Sequence, residues 1–294
     1  LESNIARLAG TSICRAILLL LLMTTGLASA SPYADDIISA NQHYTVNENE
    51  SLLEIARKFD LGTNEIVNAN PGVDAFIPEY GSIIRIPTIW ILPDVPTTSG
   101  IVINLPEFRL YVFSSDNPGT VITFPIGVGD LGKDTPVGTF TIIEKIINPA
   151  WVVPESIRKE KPELPKVVPP GPDNPMGTHA LRLSLGTVLI HGTDRPWGIG
   201  LRSSHGCLRL YPEDIVRLFK IVNLGTRVTI VNQPVKVAVK DEKVFVEVHK
   251  YEYKDYQGQT IKLLREKKLL AKVDMTKLSR ALKEMNGLPV DITR

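Results

Sequence analysis

A chain of 294 residues with 43% apolar and 22% charged side chains has room for two or three domains with buried cores. That composition excludes both a disordered polymer and a multi-span membrane protein. Lys and Arg total 33 against 32 Asp and Glu, so a net charge of +1 gives no global attraction for nucleic acid or an anionic surface.

Arg7 and Arg15 precede an apolar stretch at residues 16–23, and Ala28-Ser29-Ala30 follows it. This is the layout of a signal peptide over residues 1–30, with a mature chain beginning at Ser31. The apolar run falls well short of the roughly 20 residues that a spanning helix needs. Cys14 sits before the run, which is not where a lipid-attachment cysteine lies. Without Glu2, Arg7, Arg15 and Cys14 the chain carries 31 basic and 31 acidic residues and a single cysteine, Cys207. Exported chains usually pair their cysteines, so an odd one is an inert buried thiol, an intermolecular bridge or a nucleophile.

Residues 43–88 read as a βααβ module. His43-Tyr44-Thr45-Val46 is strand-like, and Ser51 with Glu54 forms a capping box. Leu52, Ile55, Ala56 and Phe59 then mark one helix face. Thr63 is placed to cap a second helix carrying Ile66 and Val67 and stopping at Asn70-Pro71-Gly72, and Ile83-Ile84-Arg85-Ile86 closes the unit. The run Tyr44-Thr45-Val46, Ser51-Leu52, Ile55-Ala56, Asn68-Ala69-Asn70-Pro71 and Ile84-x-Ile86-Pro87 resembles a LysM domain. That resemblance implies binding to the N-acetylglucosamine-containing glycan of peptidoglycan; the alternative is a βααβ spacer with no ligand.

Pro93 and Pro96 make residues 89–99 a stiffened linker. With the self-contained capping pattern, this implies a module that folds alone. Residues 100–234 hold the strand-like runs 101–104, 109–113, 121–124, 140–143, 187–190 and 227–231. One helix interrupts them near Pro212, with Glu213 and Asp214 in its first turn and Ile215, Leu218, Phe219 and Val222 on its apolar face. The segment 235–294 reads as small and α/β, of unknown role. Val244, Val246 and Val248 alternate as a strand, and Met275, Leu278, Leu282 and Met285 form a helix face ending at Gly287. From Lys236 onward 14 basic residues face 9 acidic ones, the balance of an ordinary solvated face.

The chemistry concentrates between Val188 and Leu210. An apolar strand delivers His191-Gly192, and Cys207 follows sixteen residues later in Ser203-Ser204-His205-Gly206-Cys207. A free thiol is mostly protonated at neutral pH, so a nucleophilic cysteine needs a nearby base, and His191 can take that proton and return it to a leaving amine. Gly206 leaves the adjoining backbone uncovered, so the amides of Gly206 and Cys207 are candidates for stabilising an oxyanion. His205 is the rival base. In an extended segment, though, its side chain and that of Cys207 stand roughly 7 Å apart, beyond proton-transfer contact.

His191-Gly192 together with Ser203-Ser204-His205-Gly206-Cys207-Leu208-Arg209 resembles the His-Gly and Ser-x-Gly-Cys-x-Arg signature of the L,D-transpeptidases of the YkuD family. Asp134-Thr135-Pro136-Val137-Gly138-Thr139-Phe140, Asn148-Pro149-Ala150-Trp151 and residues 168–177 match upstream, and the likeness best fits the enterobacterial periplasmic branch. The resemblance implies a mainly β, β-sandwich-like catalytic domain beside the small α+β LysM module and the α/β C-terminal segment. It also implies acyl transfer on peptidoglycan stem peptides through a Cys207 thioester. The acceptor is then either the diaminopimelate amine of a second stem or a lysine of an outer-membrane lipoprotein. No cofactor, metal or nucleic acid is implied.

Cys207 and His191 are the expected catalytic pair, with Gly192, Ser204, His205, Gly206 and Arg209 in support. In the family a backbone carbonyl near Gly192 orients the histidine, while His205 shapes the loop or the substrate rim. Arg209 either holds a substrate carboxylate or braces the loop against Asp214. Asp194 reads as a polar turn residue, Trp151 and Trp197 as packing or groove wall, and Tyr111 and His179 as structural. Three rivals were weighed. A zinc site from His191, His205 and Cys207 lacks a fourth ligand. An NlpC/P60-type peptidase has the opposite order of cysteine and histidine. A non-catalytic glycan-binding wall protein would carry an inert Cys207.

Overall fold

The computed structural model describes residues 36–96, 99–115, 117, 119–252 and 255–294. The expected signal peptide lies outside the described residues. Among those described, no helix is long and apolar enough to cross a membrane.

The chain begins with β1 (Ile37–Ser39) and β2 (Gln42–Thr45), then α1 (Leu52–Lys58), α2 (Thr63–Ala69) and β3 (Ile83–Ile86), with β2 and β3 antiparallel. The Ser51 capping box forms as expected: Glu54 N–H donates to Ser51 Oγ at 3.2 Å, and Ser51 N–H donates to the Glu54 carboxylate at 2.8 Å. The second cap differs from expectation. Gly62 is the cap, Thr63 is the first helical residue, and Glu65 reaches back to the Gly62 amide at 2.7 Å. Asn70 ends α2 by donating to Ile66 and Arg85 carbonyls and accepting from Arg85 N–H, which ties the helix to β3.

Residues 89–99 are not simply a linker. β4 (Ile89–Ile91) pairs antiparallel with β1, and Trp90, Ile91 and Leu92 are buried. Apolar side chains outweigh the prolines here because a sheet surface lies beside them to cover.

Then follow β5 (Gly100–Asn104), β6 (Arg109–Phe113), β7 (Val121–Pro125), β8 (Val128–Gly129), β9 (Gly138–Ile147), β10 (Trp151–Val152), α3 (Glu155–Glu160) and β11 (Val167–Val168). β12 (His179–Leu183), β13 (Leu189–His191), β14 (Arg202–Ser204), β15 (Leu208–Arg209), α4 (Pro212–Ile221) and β16 (Arg227–Val231) complete this part. Eight strands form one mixed sheet in the order β15-β13-β12-β9-β16-β5-β6-β7, with β5 and β16 parallel at its centre. The sheet curls so far that its two ends meet, Gly127 after β7 exchanging both backbone hydrogen bonds with Arg209 of β15 at 2.9 Å. A single curled sheet thus supplies the layers anticipated for a sandwich-like domain.

Alternation along β5 and β6 explains the packing. Ile101, Ile103, Leu110 and Val112 face the inner core with Ile190, Leu208, Ile215 and Leu218. Val102, Tyr111 and Phe113 point the other way, into one cluster with Leu52, Ile55, Ile66, Ile84, Ile86 and Trp90 of the N-terminal module. Expectation of a module that folds alone is therefore corrected: its core is completed by the outer face of the catalytic sheet. Arg109, fully buried, joins Glu65 at 2.6 Å across the same contact, and Trp90 Nε1 donates to Glu65 at 2.9 Å.

The remaining residues form β17 (Val235–Lys240), β18 (Lys243–Val248), α5 (Tyr256–Glu266), α6 (Met275–Glu284) and β19 (Val290–Asp291). The three strands carry a separate core with Leu264, Leu278 and Ile292. Buried Lys236 pairs with Glu107 and Glu247, and Glu247 also accepts from Ile91 N–H and His249. This charge cluster fastens the segment to both β4 and the turn after β5.

Candidate active site

β13 and β15 run parallel with Ile190 opposite Leu208 and His191 opposite Arg209. Ile190 and Leu208 are both fully buried in the inner core. Because side chains alternate along a strand, His191, Arg209 and Cys207 all leave by the opposite face. Cys207 stands diagonally across from His191, a separation of roughly 7–8 Å between β-carbons that the two side chains can span.

The His191 ring is buried and oriented by backbone. Nδ1 lies 2.6 Å from the Gly192 carbonyl, and the Met176 carbonyl also draws the ring. A carbonyl only accepts, so Nδ1 carries the proton and Nε2 keeps its lone pair. Burial, aided by the Arg209 charge, pulls the imidazole down to about 4 against the pull of the two carbonyls, so it is neutral at pH 7. Asp194 takes no part in holding the ring and lies 3.6 Å from Arg195.

Cys207 is half-buried, and its Sγ donates a long contact of 3.8 Å to the Thr187 carbonyl. Burial pushes the thiol above its ordinary range, opposed by the Leu189 backbone and by the charges of Arg209 and Arg182. The resting pair is therefore neutral thiol and neutral imidazole. No preformed thiolate and imidazolium are indicated, and no hydrogen bond joins the two among the described residues.

The Ser-Ser-His-Gly-Cys run is a turn rather than the extended segment anticipated. Gly206 has φ +100°, a conformation other residues rarely adopt, and its N–H donates to Ser204 Oγ at 3.2 Å. That bond occupies the Gly206 amide, which removes it from the two candidate oxyanion donors. Ser204 Oγ in turn donates to the Cys207 carbonyl, and Thr135 Oγ1 donates to the Gly206 carbonyl at 3.1 Å.

His205 points away to the rim. Lys133 Nζ donates to its Nε2 at 2.6 Å, and Glu160 lies 3.4 Å from the same nitrogen while accepting from Lys133 at 2.8 Å. The Lys133–Glu160 pair was missed in the sequence because nothing links residues so far apart until α3 and the loop after β8 meet. Arg209 does not brace Asp214, which pairs with Arg217 at 3.1 Å. Among the described residues the Arg209 guanidinium makes no hydrogen bond or ion pair, and its Nε is buried. A half-buried cation beside a thiol is an electrostatic seat for a carboxylate.

A long excursion between β9 and β12, holding β10, α3 and β11, spans this site. Buried Asn174 donates to the Pro149 and Pro169 carbonyls and accepts from Met176 N–H, which pins the base of the excursion next to His191. Its far end, at Glu160, meets Lys133 and His205. Trp197 is 59% exposed on the neighbouring loop, consistent with a groove wall. Tyr111 is buried against the N-terminal module, and His179 packs edge-on to Phe219.

Residues 98–230 match the family model described as the L,D-transpeptidase catalytic domain. Over 282 residues the chain is 39% identical to the probable L,D-transpeptidase YcfS of Escherichia coli (strain K12), covering 90% of this chain and 87% of that protein. It is 41% identical over 271 residues to the probable L,D-transpeptidase YbiS of the same strain, covering 86% of this chain and 88% of that protein. The probable L,D-transpeptidase ErfK/SrfK of Salmonella typhimurium is 37% identical over 262 residues, with 84% of each chain covered.

Proposed function

This chain belongs to the L,D-transpeptidases of the YkuD family, and from that premise we propose that it acts on peptidoglycan stem peptides with Cys207 as nucleophile and His191 as base. The observation that carries the assignment is the common face on which the half-buried thiol, the carbonyl-oriented imidazole and the unpaired guanidinium emerge from adjacent strands.

Cys207 Sγ attacks the carbonyl of the third stem residue as its proton passes to His191 Nε2. The Cys207 amide faces the developing oxyanion. His191 then gives the proton to the nitrogen of the departing D-alanine, which leaves a thioester. An amine gives its proton to His191 and attacks the thioester carbon, and the thiol recovers that proton on departure. Arg209 holds a carboxylate of the donor stem. The acceptor is a diaminopimelate amine or a lysine of an outer-membrane lipoprotein. Export by residues 1–30 delivers the enzyme to the periplasm, and residues 43–88 act as a LysM module on the glycan.

Mass spectrometry of purified enzyme with tetrapeptide muropeptides, with and without a lipoprotein carrying a C-terminal lysine, tests this reading. We expect dimeric muropeptide or lipopeptide adduct, an acyl mass increment on Cys207, and neither from Cys207→Ala. Turnover retained by the alanine variant refutes the assignment.

A further inference from the structure

The N-terminal module touches the catalytic domain at the stretches of chain on either side of Cys207. Upstream, the Thr63 amide at the start of α2 donates to the Ile199 carbonyl at 3.0 Å, on the loop between His191 and Cys207. The two backbones are packed there without side chains. A Cβ on Gly62 would lie 2.8 Å from Gly200 Cα, and one on Gly200 would lie 2.6 Å from Thr63 N. Gly200 also has φ +83°, so the pair is closed to other residues by space and by conformation.

That loop is held from its inner side as well. Gly200 N–H donates to Ile126 O, Val128 N–H to Leu201 O, and Ser203 Oγ to Gly198 O. Three residues beyond Gly200, β14 leads into the Gly206 turn. Downstream of Cys207, Tyr211 Oη donates to the Leu61 carbonyl at 3.0 Å, and Arg57 forks onto Glu213 with two contacts of 2.7 Å. Module residues 57–63 thus fix both ends of the segment that presents the thiol.

We propose that Gly62 and Thr63 are positioning residues for acyl transfer, holding the Ile199–Gly200 loop so that the Cys207 turn faces His191. The proposal rests on the reading of Cys207 as nucleophile. A misplacement of the loop costs reaction rate, since near-attack geometry tolerates little error.

Thr63→Pro tests it in the full chain. Proline is well suited to the first position of a helix, and Gly62 already has the extended conformation (φ −80°, ψ 157°) that a residue before proline requires. The substitution therefore spares α2 while deleting the amide that holds Ile199. Thr63→Ala keeps that amide. We expect Thr63→Pro to lower kcat for a soluble tetrapeptide donor about tenfold with KM within twofold, and Thr63→Ala to stay within twofold of the parent in both. A purely structural contact would lower the melting midpoint and leave kcat at 25 °C unchanged. Tyr211→Phe, which removes only the bond to Leu61, gives a second measurement, with kcat expected to fall at least threefold. Parent-like kcat in both Thr63→Pro and Tyr211→Phe overturns the proposal, as does an equal loss in Thr63→Ala and Thr63→Pro. Should Thr63→Pro fail to fold, Tyr211→Phe alone decides in the same two directions. Cys207→Ala run alongside separates the readings, because its inactivity upholds the nucleophile whatever the Thr63 variants show.

Discussion

His191 Nδ1 lies 2.6 Å from the carbonyl of Gly192, the next residue in the chain. One peptide unit thus sets both the tautomer and the direction of the ring, leaving Nε2 as the basic nitrogen with no carboxylate in the arrangement.

It follows that His191→Ala removes the base and is expected to cut the acylation rate about 10²–10⁴-fold, the range for a lost general base. His205→Ala should cost distinctly less, because that ring is engaged with Lys133 and Glu160 on the rim. Single-turnover acylation followed by intact-protein mass resolves the two. A larger loss in the His205 variant would reverse the assignment.

The pH profile should be unusual for a histidine base. With the imidazole pulled down to about 4 by burial, the rate of acylation should hold through pH 6 and fall only as the pH approaches 4. Stability follows the same group. Its folded value is below the unfolded one of about 6.5, so the unfolded chain binds more protons between those values. Stability is then full above pH 6.5 and declines as the pH drops towards 4. Stopped-flow acylation and denaturant melts across pH 4–8 measure both. An acid limb centred at 6–7 would contradict the desolvated ring.

Arg209 offers a charge with no partner among the described residues. Arg209→Met is expected to raise KM for donors bearing a free carboxylate at least tenfold while changing KM little for an amidated analogue. Arg209→Lys should recover only part, since a point charge replaces a fork. Steady-state kinetics on the two donors read this directly, and equal effects on both would exclude carboxylate binding.

Glu65→Ala leaves Arg109 buried and unpaired and removes the acceptor for Trp90 Nε1. Breaking a buried pair from one side costs about 3–5 kcal/mol, which should appear as a single cooperative loss of stability involving the whole of residues 36–231. Urea melts followed by Trp fluorescence check it. Two transitions, with only the first displaced, would mean that the module unfolds by itself.

Residues with a local signal were legible in the sequence. The Ser51–Glu54 capping box, the α1 face and the strand runs around Ile101, Leu110 and Val228 needed only spacing and alternation. His191 and Cys207 stood out because a lone exported thiol after a strand-borne His-Gly has few explanations. Contacts made across the fold were not legible. The outward side chains Val102, Tyr111 and Phe113 look like any buried strand residues, and nothing in the sequence says that a second module covers them. The same holds for Lys133 with Glu160, and for the Gly206 amide, whose engagement depends on a turn that an alternating pattern cannot reveal. Trp90 shows the converse error: prolines at 93 and 96 signalled a spacer, whereas burial decided the segment.

The parallel pairing of β5 with β16 sets the order in which this protein can fold. Ile101 finds its partner only in Val228, so the middle of the sheet stays open until nearly the whole catalytic region has emerged. Pairings so distant along the chain are slow to form, because loop closure is opposed by entropy long before the contacts repay it. A chain released N-terminus first would meanwhile hold β5 and β6 as a lone hairpin, with apolar side chains on both faces. The N-terminal module, made earlier, is the one surface already at hand to cover half of that hairpin while the rest arrives.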